Sequence, residues 1–112
     1  MIDINFTALA TTAKTIKEEL QDDVNDLIVD NSLELNKRIL RRTPVRSGTL
    51  LDGWEYDVDY NSDGWAVSHI TNEVDYAEYV ENGTVNMDGK HMVAISLQEI
   101  DTKLDNDIRR IK

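Results

Sequence analysis

Eight apolar residues, Leu9, Ala13, Ile16, Leu20, Val24, Leu27, Leu35 and Ile39, recur at spacings of three, four and eight through the first third of the chain. That spacing draws one stripe down a helix of 3.6-residue period and does not fit the two-residue period of a strand. It predicts a long helix over roughly residues 7–42, with Glu18, Glu19, Asp22, Asp23, Asp26 and Asp30 on the wet face. Asn31 interrupts the stripe. Together with Asp30 and Ser32, whose side chains compete for backbone hydrogen bonds, it marks the place for a kink or break. Pro44 ends the helix, because a residue before proline is pushed out of the helical region. Basic residues near that end complement the negative helix C-terminus.

Thr43–Gly53 reads as a loop punctuated by Pro44, Ser47, Gly48 and Gly53. Trp54, Tyr56, Val58 and Tyr60 then alternate with Glu55, Asp57 and Asp59, which predicts a strand with one apolar face. Asn61-Ser62-Asp63-Gly64 supplies a turn, and Trp65 to Thr71 is the returning strand. A short helical piece, Tyr76 to Glu81, ends at Asn82-Gly83, and residues 84–90 form a second exposed loop. Val93, Leu97, Ile100, Leu104, Ile108 and Ile111 repeat at helical spacing and predict a last helix over about 90–111. The reading is α+β, one domain over 1–112, with a long N-terminal helix and a C-terminal helix packed on a small antiparallel β-sheet. Two strands alone are marginal, so a third is expected from this chain or a neighbour.

A chain of 112 residues holds one modest core, and with no cysteine it has neither disulfides nor thiolate zinc sites. No apolar run long enough to span a membrane and no signal peptide is visible, which points to a soluble intracellular protein. The net charge of −10 argues against general affinity for nucleic-acid phosphates or anionic lipid. The charge is also segregated. Lys37, Arg38, Arg41, Arg42 and Arg46 fall within residues 37–50 with no acidic residue among them, whereas residues 51–88 carry ten Asp/Glu and no Lys or Arg. Solvated faces vary in sign without purpose. Alternatively, a basic knuckle (candidate interface charges Arg38, Arg41, Arg42 and Arg46) and an acidic segment are built to meet, within one subunit or between two.

Motifs for chemistry fail one by one. Asp59-x-Asn61-x-Asp63-Gly64 matches the first half of a calcium loop, but the twelfth position, which needs a bidentate Glu, is Ile70. Gly83 to Lys90 is one residue too long for a phosphate loop and is followed by His91 where Ser or Thr should stand. His69 and His91 form no zinc-type pair, and Ser47 lacks a nucleophile-elbow context. Asn5-Phe6-Thr7 and Asn82-Gly83-Thr84 fit a glycosylation pattern that matters only in a secreted chain. The residues nominate no catalytic group, no cofactor and no metal site.

Two loops carry more information. Thr43-Pro44-Val45-Arg46-Ser47-Gly48-Thr49-Leu50, leading into Trp54, resembles a motif of the head–tail connector and tail-completion (neck) protein family of long-tailed bacteriophages: a Pro, then Ser/Thr-Gly, then a Leu that opens the sheet. Tyr76-Ala77-Glu78-Tyr79-Val80-Glu81-Asn82-Gly83-Thr84 resembles that family's Tyr-Ala…Glu-x-Gly-Thr signature. The order of elements is similar too, over about residues 8–110. Two positions differ: Gly89 to Met92 replaces a Pro/Phe segment before the last helix, and Arg46 stands where an acidic or polar residue is common.

The resemblance implies a non-enzymatic virion protein at the head–tail interface, assembled in the host bacterial cytoplasm. It implies self-association into a ring and contact with adjacent neck or tail-tube proteins, while DNA passes without specific binding and no membrane is involved. The motif residues it singles out are Pro44, Ser47, Gly48, Leu50, Trp54, Tyr76, Ala77, Glu81, Gly83 and Thr84, with the loops 43–53 and 82–90 expected to order against neighbours. At Gly83 a left-handed reversal is expected, so Asn should be tolerated better than Val. Two other classes compete: an acidic DNA mimic that inhibits a host enzyme, against which the arginines count, and a small metal-binding regulator built on the Asp59–Asp63 turn.

Overall fold

A computed structural model describes residues 1–7, 21–45 and 48–111. Along the chain it places β1 (Ile2–Thr7), α1 (Gln21–Arg42), α2 (Thr49–Asp52), β2 (Trp54–Tyr60), β3 (Ala66–Asn72), α3 (Ala77–Asn82), β4 (Gly83–Thr84), β5 (Met87–Asp88) and α4 (Met92–Ile111). The architecture is α+β, helices against a three-stranded antiparallel sheet of order β1-β3-β2.

The third strand comes from this chain's own start. Ile2, Ile4 and Phe6 alternate with Asp3 and Asn5, and β1 pairs with β3 in the register Ile4↔Ile70 and Phe6↔Ser68. On the other side Tyr56 pairs with Ile70 and Trp54 with Asn72. One sheet face therefore presents Ile2, Ile4, Phe6, Ile70, Trp54 and Tyr56 to the helices, and there Leu35, Ile39, Met92 and Ile100 are fully buried. Each such side chain is worth about 1.5–3 kcal/mol relative to exposure. Ser32, Ser68 and Tyr56 place hydroxyls in the same layer. Their oxygens join in a chain, Ser68 Oγ donating to Ser32 Oγ at 2.7 Å and Tyr56 Oη lying 2.7 Å from Ser32 Oγ.

The long helix was expected from residue 7, but Thr7 closes β1. Leu9, Ala13, Ile16 and Leu20 lie outside the described residues. From Gln21 the helix runs unbroken to Arg42, so Asn31 does not break it. Asn31 is fully buried, yet its amide does not need to unwind the backbone. Nδ2 donates to the Leu27 carbonyl at 2.8 Å and to Asp107 Oδ2 at 3.2 Å, and Lys103 Nζ donates to Oδ1 at 3.2 Å. Asp107 and Lys103 lie on α4. Since Arg42 meets Ser96 and Glu99 while Asn31 meets Lys103 and Asp107, α1 and α4 pack antiparallel.

The helix stops before Pro44, as its ring geometry demands. The Thr43 hydroxyl donates to the Ile39 carbonyl at 2.7 Å, satisfying one acceptor in the last turn. Two segments expected as loops hold structure. Thr49–Asp52 forms a single helical turn, and residues 83–88 form a small hairpin.

Candidate functional site

The two family-like motifs, some thirty residues apart in sequence, meet at one end of the fold. Trp54 Nε1 donates to Thr43 Oγ1 at 2.9 Å, which ties the start of β2 to the end of α1. Buried Asn72, at the end of β3, donates to the Leu50 carbonyl at 2.9 Å and accepts from Val74 N at 3.0 Å. Leu50 and Ala77 are thus both held in the core. Above them opens an apolar groove of about 600 Å³, with Pro44, Gly48 and Leu50 on one side and Tyr76, Tyr79 and Val80 on the other, closed by Met87 and Lys90. Tyr79 is 60% exposed, Tyr76 and Met87 are exposed as well, and Val85 at the hairpin tip has no cover at all. Arg46 and Ser47 lie outside the described residues.

Glu81 and Gly83 have structural duties here. The Glu81 carboxylate, almost fully buried, accepts from Val93 N at 2.9 Å and Ala94 N at 3.0 Å. It therefore caps α4 from another element, where a negative charge meets the positive helix N-terminus. Lys90 N donates to the Val80 carbonyl and His91 N to the Glu81 carbonyl, and His91 takes a positive φ of 50° to enter α4. Gly83 has φ 85° and ψ 176°. The positive φ was expected, but this ψ lies far from the left-handed helical basin, in a region reserved for glycine. A Cβ there would sit 2.5 Å from Gly89 N and 2.7 Å from the Met87 carbonyl oxygen. Asn should therefore fare no better than Val. Exposed Thr84 accepts from Asn86 N at 3.3 Å in the hairpin turn.

Among the described residues, Arg38, Arg41 and Arg42 form no ion pair with the acidic segment inside the subunit. Arg42 forms a two-pronged pair with Glu99, Nη1 at 2.8 Å and Nη2 at 3.0 Å, and also donates to Ser96 Oγ. Arg38 bridges Glu34 at 2.9 Å and Glu99 at 3.4 Å. The Arg38 hydrogen bond holds the Glu34 carboxyl below the usual carboxylate range and raises Arg38 in return. The Arg42 hydrogen bond does the same to Glu99, and those from Lys103 and then Asn31 lower Asp107. Arg41 stands apart, 70% exposed, with a 3.4 Å contact to Glu34. The four candidate interface charges thus divide. Arg38 and Arg42 belong to the α1–α4 seam, Arg41 faces solvent, and Arg46 is not described.

The outer face of the sheet is acidic. Asp3 on β1 and Glu55, Asp57 and Asp59 on β2 flank His69 and Thr71 of β3. In the supposed calcium loop, Asn61 Oδ1 accepts from Asp63 N and Trp65 N and Asp59 Oδ1 from Tyr60 N, so the turn uses these oxygens itself. Among the described residues no cluster of His, Cys, Asp or Glu is arranged to hold a metal ion, and no helix is long and apolar enough to cross a membrane.

The family model described as "Bacteriophage HK97-gp10, putative tail-component" matches residues 7–83, more than half of the chain. The chain belongs to the HK97-gp10-like family. No curated protein and no solved structure matches it. The HK97-gp10-like segment runs from the end of β1 through the first motif and all of the second but Thr84, so it contains most of the groove but not α4. Family membership places this chain among phage tail components. Pro44, Gly48, Leu50 and Tyr76, singled out as motif residues by the family resemblance, line this groove. Reading the sequence missed Met87 and Lys90, which belong to no period, and Glu99, whose partners lie on another helix. The Ile2/Ile4/Phe6 alternation was the available sign of β1.

Proposed function

We propose that this chain is a non-enzymatic structural subunit that joins a phage head to its tail or completes the tail, working as one member of a ring at the neck. The observation that supports this most is the convergence of both motifs on one exposed apolar groove. Solvent-facing Tyr76, Tyr79, Val85 and Met87 beside Pro44 are surface that an assembling subunit buries against its neighbours. Partners are further copies of the chain and the adjacent neck or tail-tube proteins. A net charge of −10 lets DNA pass without adhering, and assembly takes place in the host cytoplasm.

The test is a phage carrying Tyr76→Asp together with Tyr79→Asp. Both side chains are exposed, so the purified variant keeps its fold. Interface tyrosines are often worth 2 kcal/mol or more, about thirtyfold in affinity each. Micrographs should show filled heads and tails apart, and the infectious titre should collapse. Normal tailed, infectious particles would end the reading.

A further inference from the structure

The two sides of the subunit carry opposite charge, and on the basic side Arg41, 70% exposed, has a 3.4 Å contact to Glu34 that leaves most of its guanidinium in solvent. On β2, Glu55 and Asp57 point outward two residues apart, and the register sets Glu55 level with Asp3 across β3. All three are exposed, and no described cation lies within ion-pair distance of them. On the far side of the molecule, Lys37 and Arg41 lie one turn apart on α1, on the side opposite buried Leu35 and Ile39.

We propose that the acidic outer face of the sheet docks on the Lys37–Arg41 turn of α1 in a second copy of this chain, so that identical subunits associate head to tail. The proposal rests on the ring reading and names the contact such a ring uses. Charge complementarity selects the occupant, since the acidic face repels nucleic acid and anionic lipid but matches a surface this chain itself displays. Spacing agrees as well. One helical turn advances about 6 Å between Lys37 and Arg41, and two strand residues advance about 6.8 Å between Glu55 and Asp57. The surfaces lie on opposite sides of the subunit, so the contact is heterologous. Each added copy presents a fresh acceptor until rotation closes the ring. Edge pairing is the less favourable route. β1 and β2 are the sheet edges, and joining them would bring Asp3 alongside the acidic row of β2.

The experiment is sedimentation of the full chain at low salt, where charges are felt over about 30 Å, and at 1 M, where the reach is about 3 Å. Lys37→Glu/Arg41→Glu and Glu55→Lys/Asp57→Lys should each self-associate on the order of a hundredfold more weakly than the natural chain, with near-unchanged melting. An equimolar mixture should regain association, because each variant offers the charge the other has lost. A single chain carrying all four changes should regain it too, and salt should weaken every assembling form. The contact is wrong if the natural chain stays monomeric at about 1 mM at low salt. It is equally wrong if either variant assembles normally, or if neither the mixture nor the fourfold variant recovers. The ring reading is judged separately by the tyrosine variants in the phage. Loss of head–tail joining there, with normal assembly of the charge variants, would overturn this contact and leave that reading in place.

Discussion

The N-terminal end of α4 and its body are held in contrasting ways. At the end, Glu81, Gly83 and Gly89 fix the helix through backbone: a carboxylate on two amides, and two glycines that let 81–83 and 87–89 touch. Along the body, Arg38, Arg42, Asn31, Lys103, Glu99 and Asp107 join α1 to α4 through side-chain tips. Backbone contact leaves no room for an added methyl group. Half-exposed ion pairs can rearrange and are screened by water. The first region should be fragile and the second forgiving.

The largest effect is expected at Gly83. Gly83→Val and Gly83→Asn should both lose about 3 kcal/mol or more, from the glycine-only backbone and from the clash with Gly89. Thermal melting should show falls of similar size, and a well-tolerated Asn would show that the backbone relaxes into the left-handed basin. Next comes Glu81→Ala, which strips the cap from Val93 and Ala94 and should cost about 2–3 kcal/mol in urea unfolding. Glu81→Gln keeps an acceptor and should lose roughly half as much. A Gln variant as damaged as Ala would mean that charge alone matters there.

The seam should respond to acid. Glu34, Glu99 and Asp107 are ionised more readily in the fold than in the open chain. Their stabilisation is therefore complete above about pH 4.3 and is lost as pH falls below it through the lowered values. Glu99→Gln should flatten that acid limb by lowering melting at neutral pH, and should converge with the natural chain in acid, where Glu99 is protonated. An unchanged limb would remove the Arg42 pair from the account. Smallest of all, Arg41→Ala should alter monomer stability by less than about 0.5 kcal/mol, because its side chain is mostly in water.

Periodicity made α1 from Val24 onward, the β2–β3 hairpin and α4 legible, because each buries one face of a regular repeat. The positive φ of Gly83 was legible as well. The ψ of Gly83 was not legible, since it is set by Gly89 pressing from six residues away. Asn31 misled for a related reason. Local rules weigh an asparagine against its own helix, whereas here Asp107 and Lys103 supply its partners. The arginines were read by sign and sequence position, and packing decided which of them were already taken. The groove required α2, α3 and the small hairpin to converge, and no single repeat describes that.

The pairing of β1 with β3 has a consequence for synthesis. Phe6 leaves the ribosome long before Ser68, its partner across the sheet. At about 5–20 residues per second the gap is some 3–12 s, during which Ile2, Ile4 and Phe6 wait without their central strand. The chain can form helix α1 in that interval, since helices nucleate in about a microsecond, but it cannot close the sheet. Translation speed and chaperone access to the nascent N-terminus should therefore govern how many copies reach the assembly line folded.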